Sequence, residues 1–593
     1  MLRTRAQDVA APVLRDPKPG GAAAVVRGLV TSAVVMLACA LALVSCGRRE
    51  HVDFEQVRGD FIYGSLALSP VSATQQGYHF HKQLPLDEMI DDYSQPGVRG
   101  QHSFWEKFRD RLASIDPNSL APEDRADYAM IRDQIALSLL ELDAIQNWRH
   151  NPTQYVELAG NALFEPYVLE YATKETRYKQ IIARLARIPN LMEQAKENLV
   201  SSPEVWTRVA QQENEGNIDL IEGPLKTDAP PGLRAEYDKA AKPAADALRA
   251  FNNWLKTDLA TRLSDWRLGK TNYDLKFKYT LEVDKTPAEV LAEAEAELKA
   301  TQEKMAKLAA PLSIREALDK LARDHTTPEN YFADARKDLA EATEYVRAKN
   351  LVPLPDTTNL RVIETPEFMR GIYGVGGFAP APPLEPQLGA FYWVTPISKG
   401  WPKERVESKL REYNTYGLQH LTVHEAMPGH YVQFEYANRV EPPSRRLLRT
   451  IYGNTPYVEG WAFYTQQLMA DEGYLNNSPG YRMTLYKQIL RAVGNAILDI
   501  RLHTMGMTDE QAMELMLNQT FQEKEEATAK LQRAALSSAQ LPCYFVGWKG
   551  WWQVRDEYQK AHAGDFTLAG FHQRALNESA VPLPVLGRLL AGR

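Results

Sequence analysis

Nine prolines fall between residues 353 and 402: Pro353, Pro355, Pro366, Pro380, Pro382, Pro383, Pro386, Pro396 and Pro402. Each fixes its own φ and lacks an N–H, so a long helix is excluded from this stretch. Two short segments keep strand character, Leu360–Ile363 and Ala390–Val394, where β-branched and aromatic residues cluster. On either side the pattern is helical. Apolar residues recur every three to four positions from Leu120 to Leu142 and from Arg177 to Leu199. Thr286-Pro287-Ala288-Glu289 carries a capping residue, a first-turn proline and a capping-box acid, and a run of strong helix formers follows it. Helical patterns resume near Lys403 and continue to the end. The expected fold is mainly α: a large helical body with a small β element. Residues 54–350 form its first helical region, 351–402 a Pro/Gly-rich segment and 403–593 a second helical region. No linker is marked enough to divide 54–593, which reads as one continuous domain.

With 44% apolar residues, the chain can build a core. A formal charge of −7 argues against a nucleic-acid binder, which needs a basic face. Three cysteines are too few for a disulfide scaffold.

The N-terminus is basic, with Arg3, Arg5, Arg15, Lys18 and Arg27 before an uncharged apolar run from Gly28 to Val44. That run is short for a bilayer span, and its basic flank suits a secretory signal. It ends in Leu43-Val44-Ser45-Cys46-Gly47. This resembles the bacterial lipobox, which implies acylation of Cys46, a signal peptide over 1–46 and a short tether over 47–53. The competing reading is an anchor helix with an incidental cysteine. Since Gly47 is not an aspartate, lipoprotein sorting by analogy points to the outer membrane, facing the periplasm.

His-Glu occurs once, at His424-Glu425, within HLTVHEAMPGHYVQFEY, and a second imidazole follows at His430. Glu459 lies downstream in YVEGWAFY. Two histidines and a carboxylate suit a catalytic zinc that keeps a fourth position for water. Glu425 occupies the place of a general base. The spacing is an obstacle. On an unbroken helix, residues i and i+6 sit about 120° apart and about 9 Å along the axis, too far to share one ion. Pro428 and Gly429 are the residue types a helix break needs. His420 offers a competing pair with His424 at standard spacing, but lacks an adjacent Glu.

His424-Glu-Ala-Met-Pro-Gly-His430 with Glu459-Gly-Trp-Ala462 resembles the signature of a bacterial family called domain of unknown function 885, itself similar to the gluzincin metallopeptidases. The resemblance extends from near Phe54 through Leu68-Ser69-Pro70, Gly77-Tyr-His79 and Gly389-Ala-Phe-Tyr392 to Glu526, Arg533, Tyr544 and Gly547. It implies one Zn2+ held by His424, His430 and Glu459, water activated by Glu425, and a peptide substrate. Gluzincins often stabilise the oxyanion with a downstream Tyr or His, here Tyr544 or His503. Each is equally compatible with a core role. Arg533 suits a substrate carboxylate, or else a structural pairing with Glu526. The Gly389–Val394 strand, with Tyr392, is either an edge for an extended peptide or part of a sheet covering the zinc helix. Arg445, Arg446 and Arg449 read as a solvated helix face.

The expected function is a zinc-dependent hydrolase, most simply a peptidase of the bacterial envelope. The alternatives are a non-catalytic metal- or peptide-binding lipoprotein and a cell-wall peptide amidase. A structural zinc would ordinarily have four protein ligands, and the motif supplies three.

Overall fold

Local signals account for much of the helical framework. The capping box forms: Thr286 Oγ1 accepts the Glu289 N–H at 3.3 Å, and the Glu289 carboxylate accepts the Thr286 N–H at 2.8 Å. Together they open the helix Pro287–Ala309. The chain is seen in a computed structural model that describes residues 53–355, 359–365, 376–398 and 400–592. The apolar run 28–44, Cys46 and tether residues 47–52 lie outside the described residues. Among the described residues no helix is long and apolar enough to cross a membrane.

The body is mainly α with a small β element. A short antiparallel pair, β1 (Phe80–His81) and β2 (Leu84–Pro85), lies near its start. The proline-rich stretch builds a three-stranded sheet of β3 (Leu360–Glu364), β4 (Gly376–Ala379) and β5 (Ala390–Val394), in the order β3-β5-β4. β3 runs parallel to β5, with Leu360 opposite Ala390. β4 runs antiparallel to it, with Gly377 opposite Trp393. The Gly389–Val394 strand is therefore central, with both its edges paired. The expectation that it offers an edge to a peptide is corrected: it is the centre of a sheet beside the helix that carries His424.

This sheet separates two hydrophobic cores. Side chains alternate across a strand, so Ala390, Tyr392 and Val394 enter one core while Trp393 enters the other. The first core includes Val423, Tyr431, Trp461, Tyr464, Val493 and Trp551. It also takes Tyr273, Val290, Tyr331 and Val346 from helices that precede the proline-rich stretch. The second is built from residues 155–259, joined by Trp393. Burying an aromatic side chain of this size contributes about 1.5–3 kcal/mol, so each face of β5 is firmly held.

The reading of Arg445, Arg446 and Arg449 as a solvated face is overturned. Arg449 is 2% exposed and donates from Nε to Asp127 Oδ1 at 2.8 Å. Arg445 donates to Asp127 and Asp124 at 2.7 and 2.6 Å, and Arg58 reaches the same two acids. Arg446 caps the carbonyls of Val440 and Pro383. The helix Pro443–Ile451 is thus riveted to the helix Pro122–Leu140, whose acids lie some three hundred residues upstream.

Candidate metal centre

The first histidine stands on the helix Thr415–Glu425, whose N-cap Asn414 accepts the N–H groups of Tyr416 and Gly417. The helix stops at Glu425, and a new one, His430–Ala437, starts five residues later. Between them the chain folds back on itself. The Met427 N–H reaches the Thr422 carbonyl at 3.1 Å, and the Gly429 N–H reaches the Val423 carbonyl, six residues earlier, at 3.0 Å. Only glycine fits there. A Cβ on residue 429 would lie 1.9 Å from the His424 carbonyl oxygen and 2.4 Å from that of Val423. Trp461 pins the turn from outside, donating from its indole to the carbonyls of Pro428 and Gly429 at 2.9 and 3.2 Å. The two imidazoles thereby meet, with ring centroids 4.7 Å apart and planes at 86°.

The third donor comes from the helix Thr455–Asp471. Glu459 Oε2 lies 3.4 Å from His424 Nε2 and 3.5 Å from His430 Nε2. One donor atom from each of the three residues falls within 4.8 Å of the others. Ligands at about 2.0–2.2 Å from a tetrahedral ion stand about 3.3–3.6 Å from one another. The observed spacings match those edges and exceed the usual N–H···O range of about 2.7–3.2 Å. Glu459 Oε2 and His430 Nδ1 are both buried without a hydrogen-bond partner. An oxygen buried between two imidazole nitrogens, at coordination spacing and with no hydrogen bond, fits a divalent cation such as zinc. Burial alone would raise the Glu459 carboxyl, but the two imidazoles outweigh it and hold it well below the usual carboxylate range. Burial would likewise lower His430, yet the charges of Glu459 and Glu425 raise it. The donors are thus polarised toward holding positive charge.

Glu425 ends the first helix, partly exposed and close enough for its charge to act on His430. Tyr544 stands near the start of the helix Cys543–Ala561, close enough for the Glu459 charge to act on it. Its ring packs against Phe463 at 5.7 Å, and Phe463 packs against His424 at 5.4 Å. Arg533 donates to the Tyr544 hydroxyl at 2.9 Å. Burial and the Glu459 charge push the phenol far above its ordinary value, so it is a neutral O–H donor at physiological pH. The Glu459 and Tyr544 helices meet at glycines: a Cβ on Gly460 would fall 2.3 Å from the Gly547 carbonyl carbon. This contact is one residue from Glu459 and three from Tyr544, and it fixes the distance between them.

A family model of a bacterial protein of unknown function, DUF885, matches residues 70–590. The chain belongs to the DUF885 family. Two solved structures share its fold. One is a candidate lipoprotein of unknown function from Shewanella oneidensis, 28% identical, covering 91% of this chain and 100% of that one, with a TM-score of 0.76. The other is a candidate lipoprotein from Colwellia psychrerythraea, 16% identical, covering 91% and 98%, with a TM-score of 0.74. No match is found among curated proteins.

In this DUF885 chain, other residues singled out from the sequence serve the framework. His420 is fully buried, stacked on Tyr481 at 4.0 Å, with Nε2 on the Tyr481 carbonyl at 3.1 Å. Burial pulls it down to about 4, so it is a neutral core histidine and no rival ligand. His503 is likewise pulled down to about 4 by burial. Its Nε2 lies 3.0 Å from the Ser537 carbonyl, and its Nδ1 accepts the Leu268 N–H at 3.4 Å. Both nitrogens are spent on backbone, so His503 has no proton to offer an oxyanion, and that expectation is corrected. Tyr392 is fully buried, its hydroxyl 3.1 Å from Thr422 Oγ1, two residues before His424. It braces the helix that carries His424 and is closed to solvent, which corrects its expected binding role. Arg533 is not the partner of Glu526, which pairs with Arg491. Phe378 on β4, whose ring lies 6.4 Å from that of His430, carried no sequence signal. Trp461 lay within the quoted motif without an assigned role.

Proposed function

We propose that this DUF885 protein is a zinc-dependent hydrolase that cleaves peptide amide bonds in the bacterial envelope. The observation that carries the reading is Glu459 Oε2 at tetrahedral-edge spacing from both imidazoles, with all three donors within 4.8 Å and the Glu425 charge acting on His430. Three protein ligands leave one position for water, the arrangement of catalytic and not structural zinc. Bound zinc would bring the pKa of its water to about 7 and polarise a carbonyl. Glu425 accepts the proton of the attacking water and returns it to the departing amine nitrogen. Tyr544 donates its hydroxyl proton in a hydrogen bond to the carbonyl oxygen as negative charge develops there. Arg533, by donating to Tyr544 Oη, makes that phenol a stronger donor. β4 has no strand on its outer side among the described residues. An extended peptide adds along that edge, next to His430, through backbone hydrogen bonds.

Acylation of Cys46 would tether the enzyme to the membrane, with several acyl chains exceeding the two signals that stable anchoring needs. The candidate lipoprotein status of the two similar structures supports this. The test is metal analysis of the purified protein joined to a mixed-peptide digest read by mass spectrometry. Glu425→Gln retains one zinc per chain and loses turnover. Wild-type turnover in that variant would remove the general base from the scheme, and a metal-free wild type would remove the hydrolase.

A further inference from the structure

On the helix Lys524–Leu536, Lys530 and Arg533 make no salt bridge with a carboxylate among the described residues. Nearby carboxylates are already committed. Glu526 pairs with Arg491, and Glu412 takes Lys487 at 2.8 Å and Arg491 at 3.8 Å. Arg533 is exposed to solvent and donates only to neutral acceptors, Gln540 at 3.2 Å and Tyr544 at 2.9 Å. Lys530, one turn earlier on the same helix, is 5% exposed and makes no hydrogen bond or ion pair within the described residues. Residues three apart on a helix are neighbours, with Cβ atoms about 5–6 Å apart. Burial, together with the charges of Arg491 and Arg533, pushes the Lys530 ammonium well below the ordinary lysine value, and the opposing charges of Glu526 and Glu412 offset this only in part. A buried ammonium with no carboxylate at contact distance is costly and destabilises the fold. Such a group is retained where something else completes it.

The place of this pair says what that is. Arg533 holds the hydroxyl of Tyr544, whose ring packs on Phe463 and through it toward His424, and it lies within the field of Glu459. We propose that Lys530 and Arg533 bind the free α-carboxylate at the C-terminus of the peptide, so that cleavage falls within two residues of that end. The inference rests on the hydrolase reading and narrows it to a carboxypeptidase type. A guanidinium and an ammonium together match a carboxylate, the first through a planar pair of N–H donors and the second as a point charge. Glu526 and Glu412 act on Lys530 only through space, since their contacts are with Arg491 and Lys487.

The test uses zinc-loaded full-length protein and pairs of peptides of the same sequence, with the C-terminus either free or amidated. Wild type cuts free-acid peptides one or two residues from the end and prefers them by about a hundredfold, as two lost charged hydrogen bonds imply. Lys530→Met brings the free-acid to amide ratio of kcat/KM down by about tenfold or more, chiefly through KM; Arg533→Gln lowers the same ratio and also lowers kcat on both substrates, because it releases Tyr544. Lys530→Met melts no lower than wild type, since it removes an unpaired buried charge, and so separates the binding loss from misfolding. A binding arm uses the Glu425→Gln variant and N-acetyl-Phe-Ala, free or amidated, in a calorimeter. Selective binding of the free acid without turnover by wild type would support the carboxylate site and overturn the hydrolase. Cleavage indifferent to the C-terminal group would keep the hydrolase and overturn the site. Inorganic phosphate that displaces the peptide acid at equal affinity would also overturn it, in favour of a general anion hole.

Discussion

Gly429→Ala tests how the two histidines are brought together. The added methyl would lie 1.9 Å from the His424 carbonyl oxygen and 2.4 Å from that of Val423. Both are backbone atoms, so no side chain can rotate aside. Relief to even 3.0 Å demands that the chain part by about 1.1 Å, directly between the helix that carries His424 and the residue before His430. Metal–ligand distances tolerate only about ±0.2 Å. The displacement is several times that tolerance, so one imidazole leaves the ion. Outer-shell changes alone commonly cost about 10–100-fold in metal affinity; losing a direct ligand should cost at least about 100-fold. The strain itself, about 1–3 kcal/mol for overpacking, is small beside a stability of about 5–15 kcal/mol, so the metal-free fold survives. The assay is zinc competition against a chromophoric chelator, with thermal melts in excess EDTA as the folding control. Gly100→Ala, in open space on the helix Gln95–Ala113, is the matched substitution without effect. Wild-type zinc affinity in Gly429→Ala would refute the argument that this turn assembles the site.

Tyr544→Phe removes the oxyanion donor and lowers kcat by about 100–1,000-fold with zinc content unchanged; an unaltered kcat places the donor elsewhere. Stripping zinc removes a ligand bound only by the native state, which at a thousandfold excess over Kd stabilises by about 4 kcal/mol, so EDTA should lower the melting temperature by several degrees. An unchanged melt would mean that no ion is held. Asp499 accepts from Tyr273 and the Ala539 N–H and is fully buried, and burial lifts its carboxyl from 3.8 to about 7. The unfolded chain releases this proton first, so the contribution to stability declines as pH rises from about 4 to about 7. Asp499→Asn should therefore gain on wild type in urea midpoints at pH 8 relative to pH 5; parallel pH profiles would contradict the shift.

What the sequence made legible was local. The Thr286 capping box needs only four consecutive residues, and it forms. Pro428 and Gly429 resolved the conflict in the histidine spacing because a break is a property of the residues inside it. The strand segments Leu360–Ile363 and Ala390–Val394 were visible from side-chain type. Their order was not, since β4 is glycine-rich and pairing is non-local, so the central strand was read as a possible edge. The arginines at 445 and 449 looked solvated because their acids, Asp124 and Asp127, lie in a distant part of the chain. His503 lost its proposed role to two backbone groups, Leu268 and Ser537, that no periodicity reveals. Lys530 carried no signal, because a lysine among Glu, Lys and Ala in a helix is indistinguishable from a surface residue until its burial is known.

The five residues of β5 also bear on how distant events reach the candidate metal site. Trp393 is seated among side chains from residues 155–259, while its neighbour Tyr392 braces Thr422 beside the first imidazole. Whatever loosens or tightens the far bundle must move that strand as a rigid slat, and the slat bears on the metal helix. A substitution deep in the far bundle, touching none of the three candidate ligands, is thereby given a mechanical route to their spacing.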